Sequence, residues 1–136
     1  MSLLLDTNVI SELMRKVPNL HVFSFIAGIA KSDLFASVLS VGEIKFGIER
    51  LAPGPRRDRL LKIVEGDLLA VKSAQLLPVS LHVAERWARL KVEAGRTLPA
   101  FDSLIAATAL HHGLDLATRN TRDFAGLGLR LVDPFA

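Results

Sequence analysis

The chain has no cysteine. That single absence removes disulfide frameworks, thiolate nucleophiles and cysteine metal sites, and it fits a reducing cytosol. Long hydrophobic runs are missing as well. The longest apolar stretch, "VFSFIAGIA", is far short of the roughly 18 residues that span a membrane, so no membrane partner is expected. A secretory leader is not expected either, because Asp6 interrupts the N-terminal apolar run and no basic residue precedes it. There is no repeat, linker or low-complexity tract, no G-x-S-x-G elbow, and "GPRRDR" lacks the glycine–lysine–hydroxyl ending of a phosphate loop. Disorder is excluded by a composition that is 50% hydrophobic. At 136 residues, one domain over 1–136 is expected. A chain of that size buries a core without staples. The net charge of +3 favours polyanionic partners only weakly.

What is present is an alternation of strands and helices. "LLL" (Leu3–Leu5) reads as a buried strand and "NVISELMRK" as a helix ending before Pro18. "NLHVFSFIAGIAK" has apolar residues at helical spacing. "DLFAS" (Asp33–Ser37) reads as a strand, and "SVGEIKFGIERL" as a helix stopped by "APGP". "RRDRLLKIVEGDLLAV" predicts another helix, "LLPVS" a strand, and "LHVAERWARLKVEAG" a helix closed by Gly95. "FDSLIAATALHHG" predicts a helix closed by Gly113, followed by strands in "DLATRN" and "LRLVDPF". This order predicts an α/β domain with a mostly parallel sheet between helices. Ligands in such sheets bind beyond the carboxyl ends of the strands, where the strand order reverses.

Four acids stand at such places. Asp6 ends the first strand, and Asp123 follows the strand in "LATRN". Glu43 is expected in the first turn of the helix after the second strand, and Asp102 at the start of "FDSLIAATAL". Each has a local explanation. Asp6 suits an N-cap, Ser40-x-x-Glu43 matches a capping box, Asp102 favours a helix dipole, and Asp123 suits a turn. None of these explains why four acids gather on one rim of a net basic chain. Clustered carboxylates raise one another's pKa unless a cation sits among them. Oxygen donors without cysteine or histidine suit Mg²⁺ or Mn²⁺, and the chemistry that follows is phosphodiester hydrolysis. Thr7 and Asn8 are candidates either for holding a metal-bound water or phosphate oxygen, or for helix capping. Arg119 and Arg122 flank the rim and are the candidates for phosphate contact. The four histidines, at positions 21, 82, 111 and 112, form no spaced metal motif. The adjacent pair is expected to face helix-end carbonyls. Trp87 is expected as a core or interface anchor.

"LLDTNVISEL", "SVGEIKFGI" and "DSLIAATALHHGLDLATRNTRDF", in this order and spacing, resemble the PIN-domain ribonucleases. The nearest group is the VapC/FitB-type toxins of toxin–antitoxin pairs. The resemblance implies a three-layer PIN-like fold, with a parallel sheet of about five strands between helices. It implies cytoplasmic Mg²⁺- or Mn²⁺-dependent endonucleolytic cleavage of RNA. It also implies a cognate antitoxin that blocks the site, a homodimer, and DNA contact only through the antitoxin. The family's acids fall on Asp6, Glu43 and Asp102, with its neighbouring hydroxyl on Thr7. The fourth place differs from the fullest pattern: it holds Asn120, with Asp123 three residues on, so either completes the site. Two other readings stand beside this one. A phosphatase or phosphoryl-receiver domain also puts an acid after its first strand, but Asn8 and the lack of a late lysine argue against both. A PIN-like binding module that has lost its metal is the non-catalytic alternative.

Overall fold

In the computed structural model, residues 1–68 and 75–136 are described. Strand β1 (Leu3–Leu5) leads to α1 (Thr7–Leu13) and α2 (Leu20–Ala27). Strand β2 (Leu34–Ser37) leads to α3 (Val38–Glu49) and α4 (Pro55–Ile63). Strand β3 (Leu76–Leu77) leads to α5 (Leu81–Glu93) and α6 (Ala100–His112), and the chain finishes with β4 (Asp115–Ala117) and β5 (Leu131–Val132). Among the described residues the sheet has five strands in the order β3-β2-β1-β4-β5. Every pairing is parallel, with Leu3 beside both Leu34 and Asp115.

The three leucines of β1 are all buried because the strand has a core on each face. Successive side chains of a strand point to opposite sides. Leu3 and Leu5 pack with Val9, Ile10, Val22 and Ile44, from α1, α2 and α3. Leu4 packs with Leu90, Ile105 and Leu116, toward α5 and α6. Alanines at 106, 107 and 109 are fully buried, which lets α6 lie close to its neighbours. Gly113 closes α6 in the left-handed region, at φ 66°, a conformation open to glycine at little cost.

Several sequence expectations need correction. "LLPVS" pairs only at Leu76 and Leu77: Pro78 has no amide hydrogen to give a ladder. "DLATRN" is strand only to Ala117, with Thr118 giving one more sheet bond to the Val132 carbonyl at 2.9 Å. The helix expected through "RRDRLLKIVEGDLLAV" stops at Ile63 and widens into a π turn, Val64–Leu68; its end lies outside the described residues. The capping box is also absent. Ser37, one turn earlier, caps α3 by accepting the Leu39 amide at 3.1 Å. Glu43 therefore stands in the second turn.

The strand order reverses between β1 and β4. Asp6 leaves the carboxyl end of β1, and Thr118 to Asn120 leave that of β4. Helices α3 and α6 begin on the same rim, and with them come Glu43 and Asp102.

Candidate active site

Asp6 is 5% exposed, and its carboxylate accepts from three neighbours. Oδ1 accepts the Thr7 amide at 2.8 Å, which caps α1. Oδ2 accepts the Thr118 hydroxyl at 2.7 Å and the Asn8 side-chain amide at 3.3 Å. A carboxylate has about four acceptor positions, so capping leaves capacity toward the adjoining cavity. The capping and chemical readings of Asp6 are compatible. Burial pushes its pKa up, the bonds from Thr118 and Thr7 pull against that, and the Asp123 charge adds to the rise.

Thr118 is a residue that sequence reading missed. It is fully buried. Besides donating to Asp6, its oxygen accepts the Asn120 amide at 3.0 Å. It fixes the first acid and the polar loop after β4 with one hydroxyl. The available signal was a threonine placed directly after a buried strand, but its use depends on β4 lying beside β1.

Asp6, Glu43 and Asp102 wall the same cavity, about 340 Å³, together with Thr7, Asn8, Asn120, Ser11 and the Phe101 ring. Asp102 is the third residue of α6. Burial raises its pKa first, and the charges of Asp6, Asp123 and Glu43 raise it further. Asp102 thus feels the other three acids, although Asp6 and Asp123 lie at opposite ends of the sequence. Asp123 does not line the cavity. It sits in a 3-10 turn, Thr121–Phe124, and Arg96 braces that turn through the carbonyls of Asp123 and Ala125, at 3.2 and 3.0 Å.

The supporting residues have specific partners. The Thr7 hydroxyl donates to Ser40 Oγ at 2.9 Å, inside the protein. Its proton is thereby committed to joining α1 to α3, while its oxygen borders the cavity. Asn8 accepts the Arg119 amide at 3.2 Å. The Arg119 guanidinium lies over the Phe135 ring, 4.6 Å from its centre; Arg122 is exposed. Trp87 donates its indole N–H to Ser103 Oγ at 2.8 Å, and Ser103 donates to the Ala100 carbonyl at 2.8 Å. That chain pins the turn of α6 that carries Asp102. The histidines lie apart from the acids. His111, at the far end of α6, stacks on His82 with ring centres 5.6 Å apart, a packing arrangement where carbonyl contact was expected.

The donor set fits a hard divalent cation: carboxylates, side-chain amides and hydroxyls, all oxygen. Among the described residues, no three or more His, Asp or Glu side chains converge closely enough to wrap an ion by themselves. Mg²⁺ does not need that. It binds through one or two carboxylates and keeps several waters, which a cavity of this width admits.

A family model described as "PIN domain" matches residues 3–128. The chain is 35% identical to a VapC ribonuclease of Sinorhizobium fredii, over 98% of this chain and 97% of the relative. It is 33% identical to the toxin FitB of Neisseria gonorrhoeae, over 98% of both. Among solved structures, a FitAB complex bound to a DNA fragment superposes with a TM-score of 0.91 at 32% identity, covering 98% of this chain and 96% of the other. A crystal structure of FitAcB from Neisseria gonorrhoeae gives 0.90 at 33% identity, covering 98% of both chains.

Proposed function

The chain belongs to the PIN-domain family, and we propose that it is a divalent-metal-dependent endoribonuclease, the toxin of a toxin–antitoxin pair. Residues 1–136 act as one catalytic domain in the cytoplasm. A cognate antitoxin silences it, the toxin pairs as a homodimer, and DNA is reached only through the antitoxin. Relatives named as a VapC ribonuclease and a toxin, and neighbours solved as FitAB complexes, support this reading. The observation that carries it is the shared cavity of Asp6, Glu43 and Asp102 at the point where the strand order reverses. The family match gives no support to the phosphatase and receiver alternatives.

Asp6, Glu43 and Asp102 would hold Mg²⁺ or Mn²⁺, with Asn120 or Asp123 completing the set. The bound ion supplies a Lewis acid for the phosphate and a water acidified toward neutral pH. Thr118 and Thr7 hold the Asp6 carboxylate in one orientation, so its free lone pair is aimed before substrate arrives. Asp102 would receive the proton of the attacking water on an oxygen that does not hold the ion. The water's oxygen would then bond to phosphorus as the bond to the leaving ribose oxygen breaks, and the proton taken from the water ends on that ribose oxygen as its hydroxyl.

Because Thr118 acts through Asp6, Thr118→Val is expected to slow RNA cleavage about 10- to 100-fold, the usual effect of losing an outer partner. Thr118→Ser keeps the hydroxyl and is expected to stay close to wild type. Equal rates for all three proteins, in a single-turnover assay, would remove Thr118 from the mechanism.

The function itself is tested by expressing the chain in growing bacteria and mapping RNA ends. New discrete ends are expected, and co-expression of the cognate antitoxin is expected to remove them. Soluble protein with no new ends would favour the non-catalytic module.

A further inference from the structure

Two acids of the cavity are held in different ways. The Asp6 carboxylate is fixed by bonds from Thr7, Asn8 and Thr118. Asp102 accepts no hydrogen bond among the described residues; only burial and the neighbouring charges act on it. Its direction is therefore inherited from the first turn of α6. That turn is poorly secured from its own end. The first amides of a helix have no partner within it, and Pro99 brings no side chain that caps them.

The turn is secured from the side instead. The Ser103 hydroxyl donates to the Ala100 carbonyl, one turn back, at 2.8 Å. Helical serines and threonines often bond back in this way; Thr108 does so to the Leu104 carbonyl at 2.7 Å. What is particular to Ser103 is that its oxygen also accepts the Trp87 indole N–H, at 2.8 Å. Among the described residues this is the one side-chain hydrogen bond that joins α5 to α6. Ser103 is 1% exposed, so water does not compete for either bond. Trp87 is the only tryptophan of the chain, and the Lys91 ammonium lies over its ring, 4.4 Å from the centre. Packing between α5 and α6 asks for a large apolar side chain at 87. It does not ask for an N–H aimed at the residue after Asp102.

We propose that Trp87 is a positioning residue for Asp102: through Ser103 it holds the first turn of α6, and with it the Asp102 carboxylate, in place for the divalent ion. The proposal rests on the reading of the acid cavity as a metal site. Trp87 does not line that cavity, so it acts only through α6. A ligand that is loose beforehand must be ordered as the ion binds, and that ordering weakens binding. Loss of the indole N–H therefore lowers metal affinity first, and slows cleavage only where the ion is not saturating.

Two variants of the full-length protein test it. Trp87→Phe keeps an apolar ring and removes the N–H. Ser103→Ala removes the oxygen that receives it. Calorimetric titration of the metal-free proteins with Mn²⁺ is expected to give a Kd raised about tenfold in each, the lower end of what an outer partner of a ligand contributes. The double variant is expected to stay near Ser103→Ala, because both changes remove the same bond. Single-turnover cleavage is expected to slow at low Mn²⁺ and to approach the wild-type rate at saturating Mn²⁺. Val83→Ala is the control: it hollows a fully buried position of α5 and lowers Tm without touching the bond, and its Kd is expected to stay at the wild-type value. Unchanged Kd in Trp87→Phe and Ser103→Ala would overturn the proposal, and so would losses that add in the double variant. A Kd raised as much in Val83→Ala would overturn it too, by making the effect one of general stability. Wild-type protein with no affinity for Mn²⁺ would overturn the metal reading of the cavity, and this proposal with it.

Discussion

An Asp6→Asn protein is expected to fold normally and to cleave RNA slower by on the order of 10³-fold or more, the scale lost when a central catalytic group is removed. Asparagine has the same shape. Its amide oxygen still accepts the Thr7 amide, so the cap on α1 survives. Thr118 and Asn8 now donate to Asp6. With an NH₂ in place of Oδ2, the Thr118 hydroxyl turns to accept, and the long 3.3 Å bond from Asn8 is given up. What the substitution removes is charge, and burial already opposes that charge. Tm is therefore expected to stay level or rise while activity collapses. Circular dichroism melting beside a single-turnover cleavage assay reads both quantities. A variant that keeps near wild-type activity would take Asp6 out of the chemistry. A variant that loses activity only by unfolding would make it a structural residue.

Metal removal is the second large effect. Treatment with a chelator is expected to bring cleavage to background, and Mg²⁺ or Mn²⁺ to restore it. The donors are oxygens throughout, a set for hard cations, and the pKa of Asp102 is raised by burial first and then by the charges of Asp6, Asp123 and Glu43. A divalent ion relieves that repulsion. It is also expected to raise Tm, by an amount equivalent to about 2.7 kcal/mol at a concentration 100 times its Kd. Cleavage that persists in excess chelator, after dialysis, would point to chemistry without a divalent ion.

Most of the architecture was legible for physical reasons. "LLL" reads as a strand because both of its faces are buried, and an uninterrupted apolar run is what two cores require. Gly113 and the "APGP" break mark helix ends through backbone constraints that act locally. The acids stood out because a carboxylate at the end of a buried strand is conspicuous. Local rules failed where two explanations share one pattern. Ser40-x-x-Glu43 satisfies the capping-box spacing, yet Ser37 takes the cap and Ser40 accepts a bond from Thr7. "LLPVS" has strand composition, but Pro78 ends the ladder. Thr118 was invisible for a different reason. Its partner Asp6 is 112 residues away along the chain, and only the pairing of β1 with β4 brings them together. The placement of Arg119 depends on Phe135, near the last residue, which no periodicity relates to it.

The most direct measurement is anomalous diffraction from crystals grown with Mn²⁺. The expected result is an anomalous peak inside the cavity walled by Asp6, Glu43 and Asp102, about 2.0–2.2 Å from at least one oxygen of Asp6 or Asp102, near the direct-ligand distances of small hard cations. Crystals of a protein that Mn²⁺ activates, with no peak in that cavity or with a peak held by other residues, would contradict it.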